Sequence, residues 1–526
     1  MTSAAAQAHG FPRLAGDGVA DVGLLLEGTY PYVSGGVSTW VHEIISGFPE
    51  LTFGICFLGA TPETTGDVKY RLPGNVVHVE VHHLMVSRAP PRPRRARSID
   101  VERHLGALAR LHEAMRAGTA PSPEVLDTLA SLDGDDGLSL YDFLHDDRVF
   151  AELCAEYDAH QPETSFIDYF WTLRTMHVPL FKLASIARSL PRFRALHAVS
   201  TGYAGALGAL VHRRTKAPFI LTEHGIYTKE RTIDLAHAAW IKDEPASGSR
   251  SAFGNLRQLW IQFFEALGRM AYTAADPIIS LYDGNRARQI ADGAATERTR
   301  VIPNGIDLQR FAGVRRDDLR APPRVVGLIG RIVPIKDIKT FIRAMREVVA
   351  VLPDAEAWIV GPEDEDNRYA QECRALAAAL GLDGAVRFLG YRQAEEVLPR
   401  LGVAVLTSIS EALPLFVLEA FAAGVPVVAT DVGCCRELIA GKSSDGDAAG
   451  AAGIVTAIAS PQETARAVVE LLRDPGAWAA ARQAATARVH ARYGRDRMLA
   501  AYRDVYRNVF ERNVFEENGG HRLRAS

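Results

Sequence analysis

Four side chains in the second half of this sequence have the types and spacing to grip a charged ligand rich in hydroxyls: Arg331, Lys336, Glu411 and Glu419. The glutamates lie in Ser410-Glu-Ala-Leu-Pro-Leu-Phe-Val-Leu-Glu-Ala-Phe-Ala-Ala-Gly424. Pro414 suits the first turn of a helix, where a missing N–H leaves no bond unmade, so Glu411 falls in the loop ahead and Glu419 in the second turn. If both were helical, eight steps would separate them by about 12 Å along the axis, beyond the roughly 5 to 9.5 Å of a glycosidase acid pair. A hydrolase dyad is therefore disfavoured. The carboxylates read instead as acceptors for two hydroxyl-bearing groups of one extended ligand. Arg331 and Lys336 lie in Gly330-Arg-Ile-Val-Pro-Ile-Lys-Asp337, directly after an apolar run. A guanidinium fork and a point cation beside a helix start form a diphosphate site through charge-assisted hydrogen bonds and the helix dipole. Taken alone, an Arg and a Lys five apart read as solvated surface; the two glutamates point to a ligand.

Positioning such residues requires strand ends. Apolar runs at Val22–Leu26, Phe53–Leu58, Val76–Val81, Ala195–Val199, Pro218–Leu221 and Pro277–Leu281 alternate with helical patterns. A second series runs through Arg324–Ile329, Ala357–Val360, Val386–Leu389, Val403–Leu406 and Val425–Ala429, with helical patterns at Lys339–Val351 and Ala394–Leu401. The fold class is thus α/β, with two Rossmann-like domains facing across a cleft. The expected domains are 1–310, 320–490 and a helix at 493–515 that packs back on the first domain, with Arg310–Pro323 as linker. An insertion at about 87–194 interrupts the first domain and reads as helical around Val101–Met115 and Ser139–Tyr157. Its opening run, Arg88-Ala-Pro-Pro-Arg-Pro-Arg-Arg-Ala-Arg97, is either a solvated loop or a contact for something anionic. Gly35-Gly36 precedes the amphipathic helix Val37–Ile45. Such a pair reads as a plain turn, and one that leaves backbone N–H groups approachable.

Composition excludes other classes. The 526 residues carry 59 Lys+Arg against 63 Asp+Glu, a net charge of −4 that gives no general field for nucleic acid. Five cysteines without C-x-x-C spacing argue against a disulfide framework or structural zinc, and Cys434-Cys435 read as inert buried thiols. Asp133-Gly-Asp135-Asp136 imitates a metal motif but follows no strand, and Glu363–Asp366 reads as a solvated loop. The amino terminus has no signal-peptide pattern and no run approaches the ~18 apolar residues of a membrane span, so a cytoplasmic protein is expected.

Arg331 and Lys336 after the first strand of the second domain, followed by Glu411-x7-Glu419, closely resemble the family 4 retaining glycosyltransferases of the GT-B fold. The resemblance runs from Val22 to about Phe510. It includes Gly35-Gly36-Val37, Glu223-His224-Gly225 and Pro303-Asn304-Gly305-Ile306-Asp307. Within that family, Glu27–Val37, Thr222–Arg231 and the insertion look like the branch serving bacterial Pel exopolysaccharide synthesis. Pro414 departs from the pattern, standing where many members have glycine.

The resemblance implies that Arg331 and Lys336 hold the donor diphosphate and stabilise the departing nucleotide in place of a metal. Glu419 would accept from the ribose hydroxyls and Glu411 from those of the transferred sugar. Gly35 and Gly36 would offer N–H groups to phosphate or acceptor, His224 would position the sugar near the reacting carbon, Tyr391 would border the base, and Leu415 would line the nucleotide-sugar site. It implies retaining transfer from a UDP-sugar to a growing exopolysaccharide, with no cofactor, no nucleic acid, and a membrane-embedded synthase or export complex as partner at the inner membrane. A UDP-sugar epimerase of the same architecture and a nucleotide-binding regulatory subunit of a membrane synthase stay open.

Overall fold

The computed structural model describes residues 10–85, 100–238, 240–241, 255–315, 320–441 and 449–522, with side chains to 512. The Arg88–Arg97 run lies outside the described residues. The chain divides into two compact units, Met1–Val301 with Arg503–Ser526, and Ile302–Tyr502. This division falls ahead of the expected 310–320 crossing. Ile306 pairs with Gly494, and Phe311 is fully buried, which ties that stretch into the second unit.

In the first unit, strands β1 (Val19–Glu27), β2 (Phe53–Gly59), β3 (Val76–His83), β4 (Arg192–Ala198), β5 (Phe219–Glu223), β6 (Ile278–Ser280) and β7 (Thr299–Val301) form one sheet, ordered β3-β2-β1-β4-β5-β6-β7. Every pair is parallel, with Leu24 facing Ile55 on one side and His197 on the other. The strands read as apolar runs because parallel strands are covered on both faces, and Leu24, Leu25 and Leu26 are all inaccessible. The insertion is helical, as the periodicity suggests. Asp100, Ser122, Asp146 and Ser165 each accept from a backbone N–H at the start of a helix. The single helix expected over Ser139–Tyr157 is two, Leu140–His145 and Asp147–His160, because Asp146 ends one and caps the next. From Arg503 the helix Arg495–Arg522 belongs to this unit. Val505, Tyr506 and Val509 are buried, and Tyr506 Oη lies 2.9 Å from His197 Nδ1.

The second unit repeats the design with β8 (Val325–Ile329), β9 (Glu356–Val360), β10 (Val386–Gly390), β11 (Val403–Leu406), β12 (Val427–Thr430) and β13 (Gly453–Thr456), ordered β10-β9-β8-β11-β12-β13. Helix Ile338–Val351 buries Ile338, Phe341, Ile342, Met345 and Val348, the stripe that its sequence periodicity requires. The helix expected over Ala394–Leu401 is one turn, Ala394–Val397, followed by a 3₁₀ turn, Leu398–Arg400. Pro399 has no N–H to continue the ladder. In both sheets the order reverses beside the first strand, between β1 and β4 and between β8 and β11. Open α/β sheets bind ligands at such points, at the carboxyl ends of the strands.

Candidate functional site

At the carboxyl end of β8 the chain makes a tightly held turn. Gly330 N donates to Val360 O at 2.9 Å and Ile332 N to Pro362 O at 3.1 Å. Gly361 has φ +153°, and a Cβ there would lie 1.9 Å from Gly330 O, so only glycine allows these strand ends to touch. Pro334–Lys336 forms a 3₁₀ turn, and Asp337, at φ 44°, caps the following helix with a bond from Thr340 N of 3.2 Å. The loop after β11 is fastened to this turn. Thr407 Oγ1 donates to Lys336 O and Asp337 O, both at 3.0 Å, and Ile409 N donates to Ile335 O at 2.8 Å.

These bonds bring together two of the expected residues. Lys336 Nζ donates to the Glu411 carboxylate, which also accepts from Ser408 Oγ at 2.7 Å. Arg331, from the same loop, points to a different partner: Nη1 is 2.5 Å from Glu365 Oε1, and the side chain is 49% exposed. The Glu363–Asp366 run, read as a solvated loop, therefore supplies Arg331's counterion and, through Asp366, a cap on Tyr369 N at 2.9 Å.

Glu419 occupies the second turn of helix Leu415–Ala422, with Pro414 at its cap, as the proline spacing implies. Its Oε1 lies 3.5 Å from Arg310 Nη1, and Arg310 Nε donates to Glu395 Oε1 at 2.6 Å. Burial pushes the Glu419 carboxyl above its ordinary pKa, against the pull of Arg310. Leu415, half-buried, opens the same helix, and Tyr391, 65% exposed, follows Gly390 at the end of β10. Sequence reasoning missed Glu365, Arg310 and Glu395, whose only local signal was charge.

The first unit places its expected residues at the equivalent edge of its own sheet. Gly35 and Gly36 are exposed where helix Gly36–Gly47 begins, with no side-chain cap on its N–H groups. His224 follows β5 and is 7% exposed, and its Nε2 has no hydrogen-bond partner among the described residues. Burial lowers its pKa to about 3, so the imidazole is neutral, and the Trp40 ring meets it edge-on at 4.8 Å. Its neighbour Glu223 is fully buried and accepts from Thr201 Oγ1 (2.9 Å), Tyr272 Oη (2.6 Å) and Gln289 Nε2 (2.9 Å). Glu27, ending β1, accepts from Tyr227 Oη at 2.8 Å and Ala204 N at 3.3 Å. Asp133, of the Asp-x-Asp look-alike, sits in a tight turn with φ 59°. Among the described residues no group of three or more His, Cys, Asp or Glu is placed to hold a metal ion.

Two family models match the chain: "Glycosyl transferases group 1" over residues 323–474, which contain Arg331, Lys336, Glu411 and Glu419, and "Domain of unknown function (DUF3492)" over residues 20–297, more than half of the chain. The chain belongs to the DUF3492 family, and it is a glycosyltransferase. The D-inositol 3-phosphate glycosyltransferase of Thermobispora bispora is 28% identical over 322 residues, covering 59% of this chain and 69% of its own. That of Salinispora tropica is 30% identical over 331 residues, with 57% and 61% covered. Other curated relatives are spanned over about half their length. Among solved structures, Anabaena HepE in complex with UDP has a TM-score of 0.56 at 17% identity, covering 93% of this glycosyltransferase and 100% of HepE. Sucrose-phosphate synthase from Thermosynechococcus elongatus has a TM-score of 0.55 at 17% identity, covering 94% and 99%. Those two likenesses concern the fold, which is GT-B with two Rossmann-like domains. No helix among the described residues is long and apolar enough to cross a membrane.

Proposed function

We propose that this glycosyltransferase moves a sugar from a UDP-sugar to a growing Pel-type exopolysaccharide, with retention at the anomeric carbon and without a metal. The observation that carries the reading is the Lys336–Glu411 pair, held by Thr407 at the point where the second sheet reverses its order. A cation and a carboxylate side by side match a donor whose diphosphate is anionic and whose sugar presents hydroxyls. On this reading Lys336 and Arg331 stabilise the negative charge that develops on the leaving diphosphate, an electrostatic role that needs no proton transfer. The diphosphate competes with Glu365 for Arg331, and Glu365 keeps the guanidinium ordered until donor arrives. Glu411 accepts from the transferred sugar and Glu419 from the ribose. Tyr391 borders the base, and Leu415 lines the nucleotide site.

Neutral His224 can donate or accept a hydrogen bond at the sugar, and the uncapped N–H groups at Gly35 and Gly36 suit an anionic or hydroxyl group. The complex with UDP reported for HepE favours a uridine donor. Retention and the Pel assignment rest on the family resemblance, as do the polymer acceptor, a membrane-embedded export partner and a cytoplasmic site at the inner membrane. A second reading, a small phosphorylated polyol as acceptor, is favoured by the relatives named D-inositol 3-phosphate glycosyltransferases.

The deciding experiment is calorimetric titration with UDP, GDP and ADP, then transfer from radiolabelled UDP-sugars to oligosaccharide and inositol phosphate acceptors. Tight UDP binding with transfer to the oligosaccharide supports the first reading, and transfer to inositol phosphate the second. A new epimer formed from the donor alone would replace both with an epimerase, and binding without turnover would leave a regulatory subunit.

A further inference from the structure

Glu419 is held in an unusual way for a carboxylate that is mostly enclosed. Its side chain is 22% exposed, and among the described residues its recorded polar partner is Arg310, at 3.5 Å through one oxygen. The second oxygen, Oε2, has no recorded hydrogen bond there. Arg310 is itself anchored from the other side: Nε donates to Glu395 Oε1 at 2.6 Å, while Nη1 is the atom that faces Glu419. A guanidinium has a rigid planar fork, so fixing Nε on Glu395 fixes where Nη1 lies. The three groups come from separate elements of the second unit: the turn Gln309–Ala312, the turn Ala394–Val397 and the helix Leu415–Ala422.

We propose that Arg310, locked by Glu395, is a positioning residue that holds Glu419 ionised and aimed so that its unfilled acceptor capacity receives the two ribose hydroxyls of the donor nucleotide. The assignment rests on the donor-site reading above and adds to it a residue outside the Arg331, Lys336, Glu411 and Glu419 set. An ionised carboxylate accepts from two vicinal hydroxyls, whereas a protonated one must donate one of its positions. Arg310 therefore acts through Glu419 on discrimination between a ribonucleotide and a nucleotide lacking those hydroxyls. The charged groups facing Glu419 are Arg310, which favours ionisation, and Glu395, which opposes it; Asp307, near Arg310, is occupied by Arg495 at 2.9 Å. Burial already raises the Glu419 pKa. Without Arg310 the carboxylate takes up its proton at still higher pH, and the repulsion from Glu395 is left uncompensated.

The test is calorimetric titration of the full-length wild type, Arg310→Gln and Arg310→Lys with UDP and with 2′,3′-dideoxyuridine diphosphate, between about pH 8 and pH 5.5. Both nucleotides share the same phosphate titration, so the ratio of their affinities isolates the hydroxyl contacts. In Arg310→Gln the preference for UDP should fall about tenfold at neutral pH, the worth of one charge-assisted hydrogen bond. It should fall further as the solution is acidified, while dideoxy nucleotide affinity stays at the wild-type value and Arg310→Lys recovers part of the preference. An unchanged ratio in Arg310→Gln overturns the proposal, and so does an equal weakening of both nucleotides. Wild-type protein that binds no UDP would instead end the donor-site reading on which it rests.

Discussion

The two sheets reverse their strand order at the same place, yet Glu223 beside the first and Glu419 beside the second are held in opposite ways. In the first unit Glu223 is enclosed by neutral donors from Thr201, Tyr272 and Gln289, whereas Glu27 accepts from Tyr227 and the amide of Ala204 and also faces Arg231, 3.8 Å away. Burial raises the pKa of both carboxyls despite these bonds. In the second unit Glu411 and Glu419 face cations, Lys336 and Arg310, and both keep some exposure. A carboxylate saturated by protein donors acts as scaffold, because loss of any partner leaves a buried polar group unmet. A carboxylate whose polar partner is a single cation, as at Glu419, retains acceptor capacity for something that arrives from outside.

The contrast is sharpest if activity and stability separate by unit. Lys336→Met should lower the transfer rate by about 10²–10³-fold, as for loss of one group that stabilises developing charge. Its thermal midpoint should stay near wild type, since the side chain is partly exposed. An active Lys336→Met variant would break the comparison. Glu223→Leu should do the reverse in the first unit and destabilise the fold by about 3 kcal/mol. It strands the Tyr272, Gln289 and Thr201 donors in a dry interior. Urea unfolding followed by fluorescence would read this, and an unchanged midpoint would remove Glu223 from the scaffold.

His224 carries the next effect. Its folded pKa, about 3, lies below the ordinary 6.5, so the native state binds fewer protons than the unfolded chain between those values. Its contribution is therefore complete above about pH 6.5 and is lost as the pH falls towards 3, at about 1.4 kcal/mol per unit. Between pH 7.5 and pH 5 that amounts to about 2 kcal/mol. Glu27 and Glu223, with raised pKa values, act with the opposite sign, so the quantity to compare is the slope of unfolding free energy in wild type and in His224→Phe. The variant's slope should be shallower, and equal slopes would mean that the imidazole is not held neutral. The smallest effect belongs to Asp337→Ala. It removes the cap on Thr340 N and should cost about 1 kcal/mol in urea unfolding. Rate loss from the same variant would show that the cap also sets Lys336.

Much of this arrangement was legible in advance. The strands of both sheets appear as short apolar runs because burial on two faces leaves no room for alternation, and Pro414 located Glu411 and Glu419 before and within their helix. Other features left no such trace. Strands β7, Thr-Arg-Val, and β13, Gly-Ile-Val-Thr, hold too few apolar residues to stand out as a run. Asp146 divided a helix that hydrophobic periodicity alone reads as continuous, although an Asp ahead of a helical stretch is a cap signal that could have been weighed. Arg331 and Lys336 were expected to converge, and their nearest carboxylates proved to be different ones. Glu365 lies 34 positions from Arg331, and Glu395 lies 85 from Arg310. Long charged side chains carry no periodic signal over such distances.

The order of residues alone determined where strands run and where helices start, since these depend on neighbours within a few positions: apolar contacts along a strand, a proline without its N–H, an aspartate cap. It could not distinguish how the two glutamates are held, because Glu223 and Glu419 are the same residue type beside similar apolar runs. That distinction arose when parallel pairing carried distant loops to common sheet edges, placing neutral hydroxyls and an amide around one carboxylate and a single guanidinium beside the other.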